Sequence, residues 1–184
     1  MTIPNLITAL RIILTPILII YLIEEQFKLA LFCFAIAAVS DGLDGFLARK
    51  INQKSPLGTY LDPIADKFLL VASFVILSIK GIIPPWLTVL AISRDILILL
   101  GVLILFLSGI HINVNPSRLS KINTCLQFTV ILIALSKDIM IGSFFSSSYT
   151  YLCYVTGIFT ISSGLHYMHY WFKVISENGA KQSS

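Results

Sequence analysis

The sequence predicts an all-α, polytopic membrane protein, with six transmembrane helices in one domain and a short amphipathic amino-terminal segment. Three observations lead there. Of the 184 residues, 57 % are hydrophobic and only 12 % charged, against about 25 % charged in a soluble domain. Six apolar runs of about 18–24 residues follow one another, each long enough to cross about 30 Å of hydrocarbon as a helix. And five of the nine acidic residues (Asp41, Asp44, Asp62, Asp66, Asp95) fall within or at the ends of those runs.

Each run has its own signature. Leu6–Ile23, with Asn5 just before it, carries Asn5, Thr8, Arg11 and Thr15 as a polar stripe at i, i+3 and i+4 spacing on its helix, which suits a headgroup interface. Leu29–Ala48 closes on Asp41-Gly42-Leu43-Asp44-Gly45 and runs into Arg49. Thr59–Ile79 contains Pro63, which a helix tolerates in its first turn, so this element is expected to start between Gly58 and Asp62. Trp86–Leu107 is interrupted by Arg94-Asp95, and Leu119–Ser136 opens on the polar stretch Ser117 to Gln127. Tyr149–Phe172 ends among His166, Tyr167, His169, Tyr170 and Trp171, a composition typical of an interfacial aromatic belt. The membrane domain is therefore 1–172, and 173–184 is expected to be a disordered cytoplasmic tail. Cys33, Cys125 and Cys153 are odd in number and scattered over three runs, so they read as small core residues without metal or disulfide spacing.

The net charge of +4 is a topology signal, not a nucleic-acid footprint. Counting loops alternately puts Arg49, Lys50, Lys54, Arg118, Lys121, Lys173 and Lys181 on one side, near Arg11. Lys28, Lys80 and Lys137 lie on the other side, with Glu24, Glu25 and Asp138. The basic excess faces the cytoplasm and attracts anionic headgroups. The opening residues read as neither a secretory signal nor an Arg/Ser-rich presequence. A bacterial inner membrane is the expected location.

Buried acids demand compensation, because one charge at mid-bilayer costs roughly 2.5–3.5 kcal/mol on insertion scales. Asp41 and Asp44 are i, i+3 neighbours on one helix, and Asp62 and Asp66 are i, i+4 neighbours on the next. A short loop joins the two, which makes them antiparallel neighbours with four carboxylates converging on one site. Like charges that close recruit cations. An all-carboxylate set suits Mg²⁺, Mn²⁺ or Ca²⁺ and not zinc, and four carboxylates suit two ions, the apparatus of in-line phosphoryl chemistry. Gly42, Gly45, Ala48 and Gly58 strip bulk from the approach. Structural ion pairs with Lys54, Arg49, Lys67 and Arg94 are the plainer explanation, less suited to four acids with interleaved glycines.

The run Asp41-x2-Asp44-Gly45-x2-Ala48-Arg49-x8-Gly58-x3-Asp62-x3-Asp66 resembles the signature of the CDP-alcohol phosphotransferases at all eight fixed positions. That resemblance implies a six-helix membrane fold, commonly homodimeric, with a site open to the cytoplasm. It implies that Asp41, Asp44, Asp62 and Asp66 bind two divalent cations, and that Asp66 is also the general base on the acceptor hydroxyl. It places Gly45, Ala48, Arg49 and Gly58 in the CDP pocket, joined by Asn5 and Thr8 of the amino-terminal segment. Arg94, Arg118 and Lys121 are candidates for holding an anionic acceptor; the alternatives are that Arg94 pairs with Asp95 or a site carboxylate and that the other two snorkel.

Within the family, further segments are similar to the CDP-diacylglycerol-dependent cardiolipin synthases of mitochondria and bacteria: Ile3-Pro4-Asn5, Tyr21 to Glu25, Ile92 to Asp95, Ser120 to Thr124, and His166 to Tyr170. The implied acceptor is phosphatidylglycerol, entering sideways from the bilayer. The alternative is glycerol 3-phosphate. A cation transporter would also place carboxylates in membrane helices, but has no need of Ala48, Arg49 and Gly58.

Overall fold

The computed structural model describes residues 3–51, 56–107, 117–137 and 143–182. Within these, the side chains of 3–9, 41–51, 56–64, 106, 118, 143–146 and 172–182 lie outside the described residues. The described chain is all helical: α1 (Ile3–Ile23), α2 (Phe27–Ile51), α3 (Pro56–Ile79), α4 (Pro85–Leu107), α5 (Arg118–Leu135) and α6 (Ser143–Gln182). Each of the six apolar runs forms one helix. Among the described residues one helix, Pro85–Leu105, is long and apolar enough to cross a membrane, and the apolar stretches Leu10–Ile23, Phe27–Ser40 and Leu119–Leu135 are shorter.

The structure departs from several expectations. Among the described residues α1 is continuous from Ile3 to Ile23, so the expected amino-terminal segment is part of the same helix as the apolar run. Helix α3 starts at Pro56, so Pro56 rather than Pro63 occupies the helix start, where a missing N–H costs nothing. Pro63 then sits in the second turn. The stretch expected as a disordered tail is helical through Gln182; no proline interrupts it, and the preceding helix supplies the nucleus that a short segment lacks. Cys125 is exposed, unlike the buried Cys33 and Cys153.

Two three-helix groups make up the bundle. In one, α1 packs on both α2 and α3; in the other, α6 packs on both α4 and α5. Among the described residues α1 thus stands between α2 and α3, where the short connection suggests direct neighbours. Looser contacts of α3 with α4 and of α5 with α2 and α3 close the seam between the groups.

The apolar core lies towards one end. Leu18, Leu22, Phe34, Phe74, Leu77, Ile83, Leu87, Ile131 and Cys153 pack there, drawn from the carboxyl ends of α1, α3 and α5 and the amino ends of the others. At that end Lys80 donates to the Ile23 carbonyl at 3.1 Å and to Glu25 at 2.7 Å. This fastens the α1–α2 turn to the α3–α4 turn. Glu25 itself holds φ +60°, while Gly81 opposite takes +69° without a side chain to strain. Lys137 lies 5.0 Å over the Phe27 ring, tying α5 in. These contacts gather three cation-bearing turns that charge counting assigns to one side.

Outside, the bundle is apolar: Phe32, Val89, Leu99, Leu107, Tyr151 and Ile158 are each more than 60 % exposed. Large apolar side chains in that number suit a lipid solvent and would be a liability in water. Between α4 and α6, aromatic rings fill glycine notches. The Trp171 ring lies against Gly101, and a β-carbon at Gly157 would sit 2.7 Å from the Trp86 ring. Trp86 also stacks on Tyr154 at 5.5 Å.

Candidate functional site

Polar residues collect at the other end. Arg11 on α1 is fully buried, and its guanidinium pairs with the carboxylate of Asp66 on α3. Thr15, one turn on, donates to the Arg11 carbonyl at 2.8 Å. A charge buried this deeply is tolerable only when paired, and α1 supplies it from the polar stripe. The Asp66 side chain keeps 27 % of its surface exposed, so the pair orients the carboxylate without closing it off.

Asp66 is the one of the four expected ligands whose side chain is described. The backbone carries Asp41 and Asp44 near the end of α2, and Asp62 one turn before Asp66 on α3. Their side chains lie outside the described residues, as do those of Asn5, Thr8, Gly45, Ala48, Arg49, Gly58 and Arg118. Among the described residues no three His, Cys, Asp or Glu groups come together. The donor that can be tested is an oriented and partly open carboxylate. A carboxylate oxygen of that kind fits a hard divalent cation.

A second cluster spans the seam. Lys67, next to Asp66, sends its Nζ to Oδ2 of Asp95 at 2.6 Å. The other oxygen, Oδ1, takes Nη1 of Arg94 at 2.7 Å. Nη2 of Arg94 donates to Ser120 Oγ and to Ser163 Oγ, the latter at 2.9 Å, while its guanidinium lies 5.8 Å from the Tyr167 ring centre. Ser117 caps α5 by accepting from the Ser120 N–H, and its own N–H donates to the Tyr167 hydroxyl. Helices α3, α4, α5 and α6 all contribute. Beneath this network Thr160 of α6 donates to Asn123 of α5 at 2.8 Å, both buried, a polar join suited to helices packed without water.

Beside the network is a cavity of about 550 Å³, lined by Lys67, Arg94, Asp95, Ser120, Thr124 and Tyr167 with Val71, Ile92, Ile96 and Leu99. Its size and its apolar wall with few convergent polar groups are those of a ligand pocket. Of the expected acceptor residues, Arg94 is there, but paired with Asp95 as the plainer reading allows. Lys121 is exposed and is not among the residues lining the cavity. His166 and His169 are exposed as well. Sequence reasoning misses Arg11 and Lys67 as site residues. For Arg11 the signal is a charge inside an apolar run.

The CDP-alcohol phosphatidyltransferase family model matches residues 1–174. The chain belongs to that family. It is 36 % identical over 191 residues to the human cardiolipin synthase (CMP-forming), covering 95 % of this chain and 63 % of the human protein. To the CDP-diacylglycerol–glycerol-3-phosphate 3-phosphatidyltransferase of Aquifex aeolicus it is 35 % identical over 127 residues, 67 % of this chain and 70 % of that one. To the enzyme of the same name from Pseudomonas fluorescens it is 45 % identical over 104 residues, 53 % of each. The chain spans a little under two thirds of the length of the human relative.

Proposed function

We propose that this chain is an integral membrane cardiolipin synthase. It would transfer the phosphatidyl group of CDP-diacylglycerol to phosphatidylglycerol, giving cardiolipin and CMP. One observation carries the choice of acceptor: the human cardiolipin synthase is 36 % identical over 95 % of the chain, while a plant glycerol-3-phosphate transferase matched over 91 % is 30 % identical and the two named above cover 53–67 %. Those transferases support the second reading, transfer to glycerol 3-phosphate.

On this reading all six helices span the membrane, as their apolar exterior supports, and the basic turns face the cytoplasm of a bacterial inner membrane. The working unit is a homodimer. Asp41, Asp44, Asp62 and Asp66 hold two Mg²⁺ or Mn²⁺ ions, which when bound neutralise the pyrophosphate and its developing charge. Asn5, Thr8, Gly45, Ala48, Arg49 and Gly58 seat the cytidine nucleotide. Arg11 keeps the Asp66 carboxylate turned into the site. The acceptor hydroxyl oxygen bonds to the lipid-bearing phosphorus, the bond from that phosphorus to the CMP oxygen breaks, and CMP leaves with the electron pair. Asp66 takes the hydroxyl proton. Arg94, Arg118 and Lys121 belong to the acceptor side.

The test is a product assay on purified protein given CDP-diacylglycerol and Mn²⁺ or Mg²⁺, with phosphatidylglycerol in one reaction and glycerol 3-phosphate in another. Cardiolipin and CMP from the first alone is the expected result. Phosphatidylglycerophosphate from the second alone would replace the acceptor while leaving the chemistry.

A further inference from the structure

We infer that Lys67 is the residue that meets the acceptor's phosphodiester, and that Asp95 and Arg94 are positioning residues that hold it for that purpose. This rests on the acceptor reading above and deepens it. The choice between the two cations falls to the one whose spare donors are accessible. Arg94 has a side chain only 5 % exposed; its two terminal nitrogens are committed to Asp95, Ser120 and Ser163, and its face to Tyr167. Its Nε N–H has no partner among the described residues but is buried, so what Arg94 has to spare is not open to a ligand. Lys67 is 41 % exposed, lines the cavity, and uses one of three N–H donors on Asp95. Two remain for a ligand.

Asp95 is 12 % exposed and accepts one cation on each carboxylate oxygen. Arg94 therefore pins the carboxylate, and the carboxylate pins the ammonium of a long, otherwise mobile side chain. Fixing it in advance lowers the entropy cost of binding.

Charge points the same way. Two cations and one carboxylate leave the cluster a single positive charge, the complement of a phosphodiester. A phosphomonoester, whose second pKa lies near about 6, would bring close to two negative charges at neutral pH. The cavity wall beyond the charges is apolar: Ile96 is 50 % and Leu99 67 % exposed on the outer face of α4. That wall suits the glycerol and acyl portion of a lipid better than a free sugar phosphate. Lys67 also directly follows Asp66 on α3, so the proposed subsite adjoins the segment that carries that carboxylate.

The experiment compares wild type with Lys67→Met, Lys67→Arg and Asp95→Asn, all as the full chain in detergent-lipid micelles. Two readouts are used: KM for each substrate, and retention of phosphatidylglycerol against zwitterionic phosphatidylcholine by native mass spectrometry without CDP-diacylglycerol. Lys67→Met is expected to raise KM for phosphatidylglycerol about ten-fold or more, the scale of one lost charge-assisted hydrogen bond, with KM for CDP-diacylglycerol within about two-fold. It is also expected to abolish selective phosphatidylglycerol retention. Lys67→Arg should restore most of both, and Asp95→Asn should show the same KM split in weaker form. Unchanged acceptor KM and unchanged retention in Lys67→Met would overturn the assignment while leaving cardiolipin synthesis standing. Retention that depends on Lys67 in a wild-type protein making no cardiolipin would keep the subsite and overturn the reaction. Should Lys67→Met fail to fold, the other two variants decide: equal changes in both KM values for Asp95→Asn would refute the positioning role.

Discussion

Lys67 on α3 lies with its Nζ 2.6 Å from Oδ2 of Asp95 on α4, joining residues 28 positions apart. The pair crosses the seam between the two helix groups. On one side its neighbour Asp66 turns to Arg11 of α1; on the other, Asp95 turns to Arg94 and through it to α5 and α6. Two sets of polar contacts, meeting on α3 at the consecutive residues Asp66 and Lys67, thus reach from α1 to α6 across the bundle.

Removing Arg11 should be costly twice over. Arg11→Met leaves the Asp66 carboxylate with its partner gone in a low-dielectric site, a change worth about 3 kcal/mol at the lower end for buried pairs, since Asp66 is partly exposed. Thermal unfolding in detergent should show a clearly lowered Tm, and turnover should fall further than the folded fraction does. A variant with unchanged Tm would mean that the pair is energetically idle.

Metal dependence is the sharpest expectation for the aspartates. EDTA should abolish turnover, and Mn²⁺ or Mg²⁺ in excess should restore it. Asp62→Asn and Asp66→Asn should each lower kcat by at least about 10² while the protein still runs as a monodisperse species on size exclusion. Full activity of Asp62→Asn would remove it from the site.

The glycine notches predict a packing penalty. Gly101→Ala drives a methyl into the Trp171 ring and should destabilise by about 1–3 kcal/mol, the usual cost of overpacking. Gly101→Ala combined with Trp171→Leu should recover some of the loss, as a double-mutant cycle on Tm can read. Additive losses would show that ring and notch do not share a packing constraint.

At the far end, the Lys80 hydrogen bond and charge hold the Glu25 carboxyl below its ordinary value of 4.5. Its native pKa being depressed, the stabilising contribution is present above about 4.5 and is lost as pH falls through the lowered native value. The Tm difference between wild type and Glu25→Gln should therefore be small, visible at about pH 6, and shrinking as the pH is taken down below about 4.5. Salt should shrink it at the higher pH, because Glu25 is exposed. A gap that widens on acidification would contradict the sign.

Much of this architecture is legible in the chain. Apolar runs alone locate six helices, because each run has to hide its backbone in a closed helix, and α4 begins within one residue of its expected start. The Asp62 and Asp66 pairing on one helix is equally legible, being a matter of local periodicity. Contacts between helices are not. Nothing local says that Arg11 reaches Asp66 on a distant helix, or that α1 should lie between α2 and α3. The fate of Arg94 turns on helix rotation. Arg94-Asp95 looks like two charges available to a ligand, yet both are consumed by Lys67, Ser120 and Ser163. A lysine beside a catalytic-looking aspartate carries no mark in the sequence that separates a lipid-facing ammonium from one that opens into a cavity.

The aromatic rings seated in Gly101 and Gly157 fasten α4 to α6 near both ends of their contact. Two such rivets leave that pair little room to slide or spread, whereas the seam where α3 meets α4 and α5 meets α2 and α3 is more loosely packed. Any change in the spacing of the two halves is therefore expected at that seam, with α4 and α6 moving as one and the Lys67–Asp95 pair as the contact that has to yield.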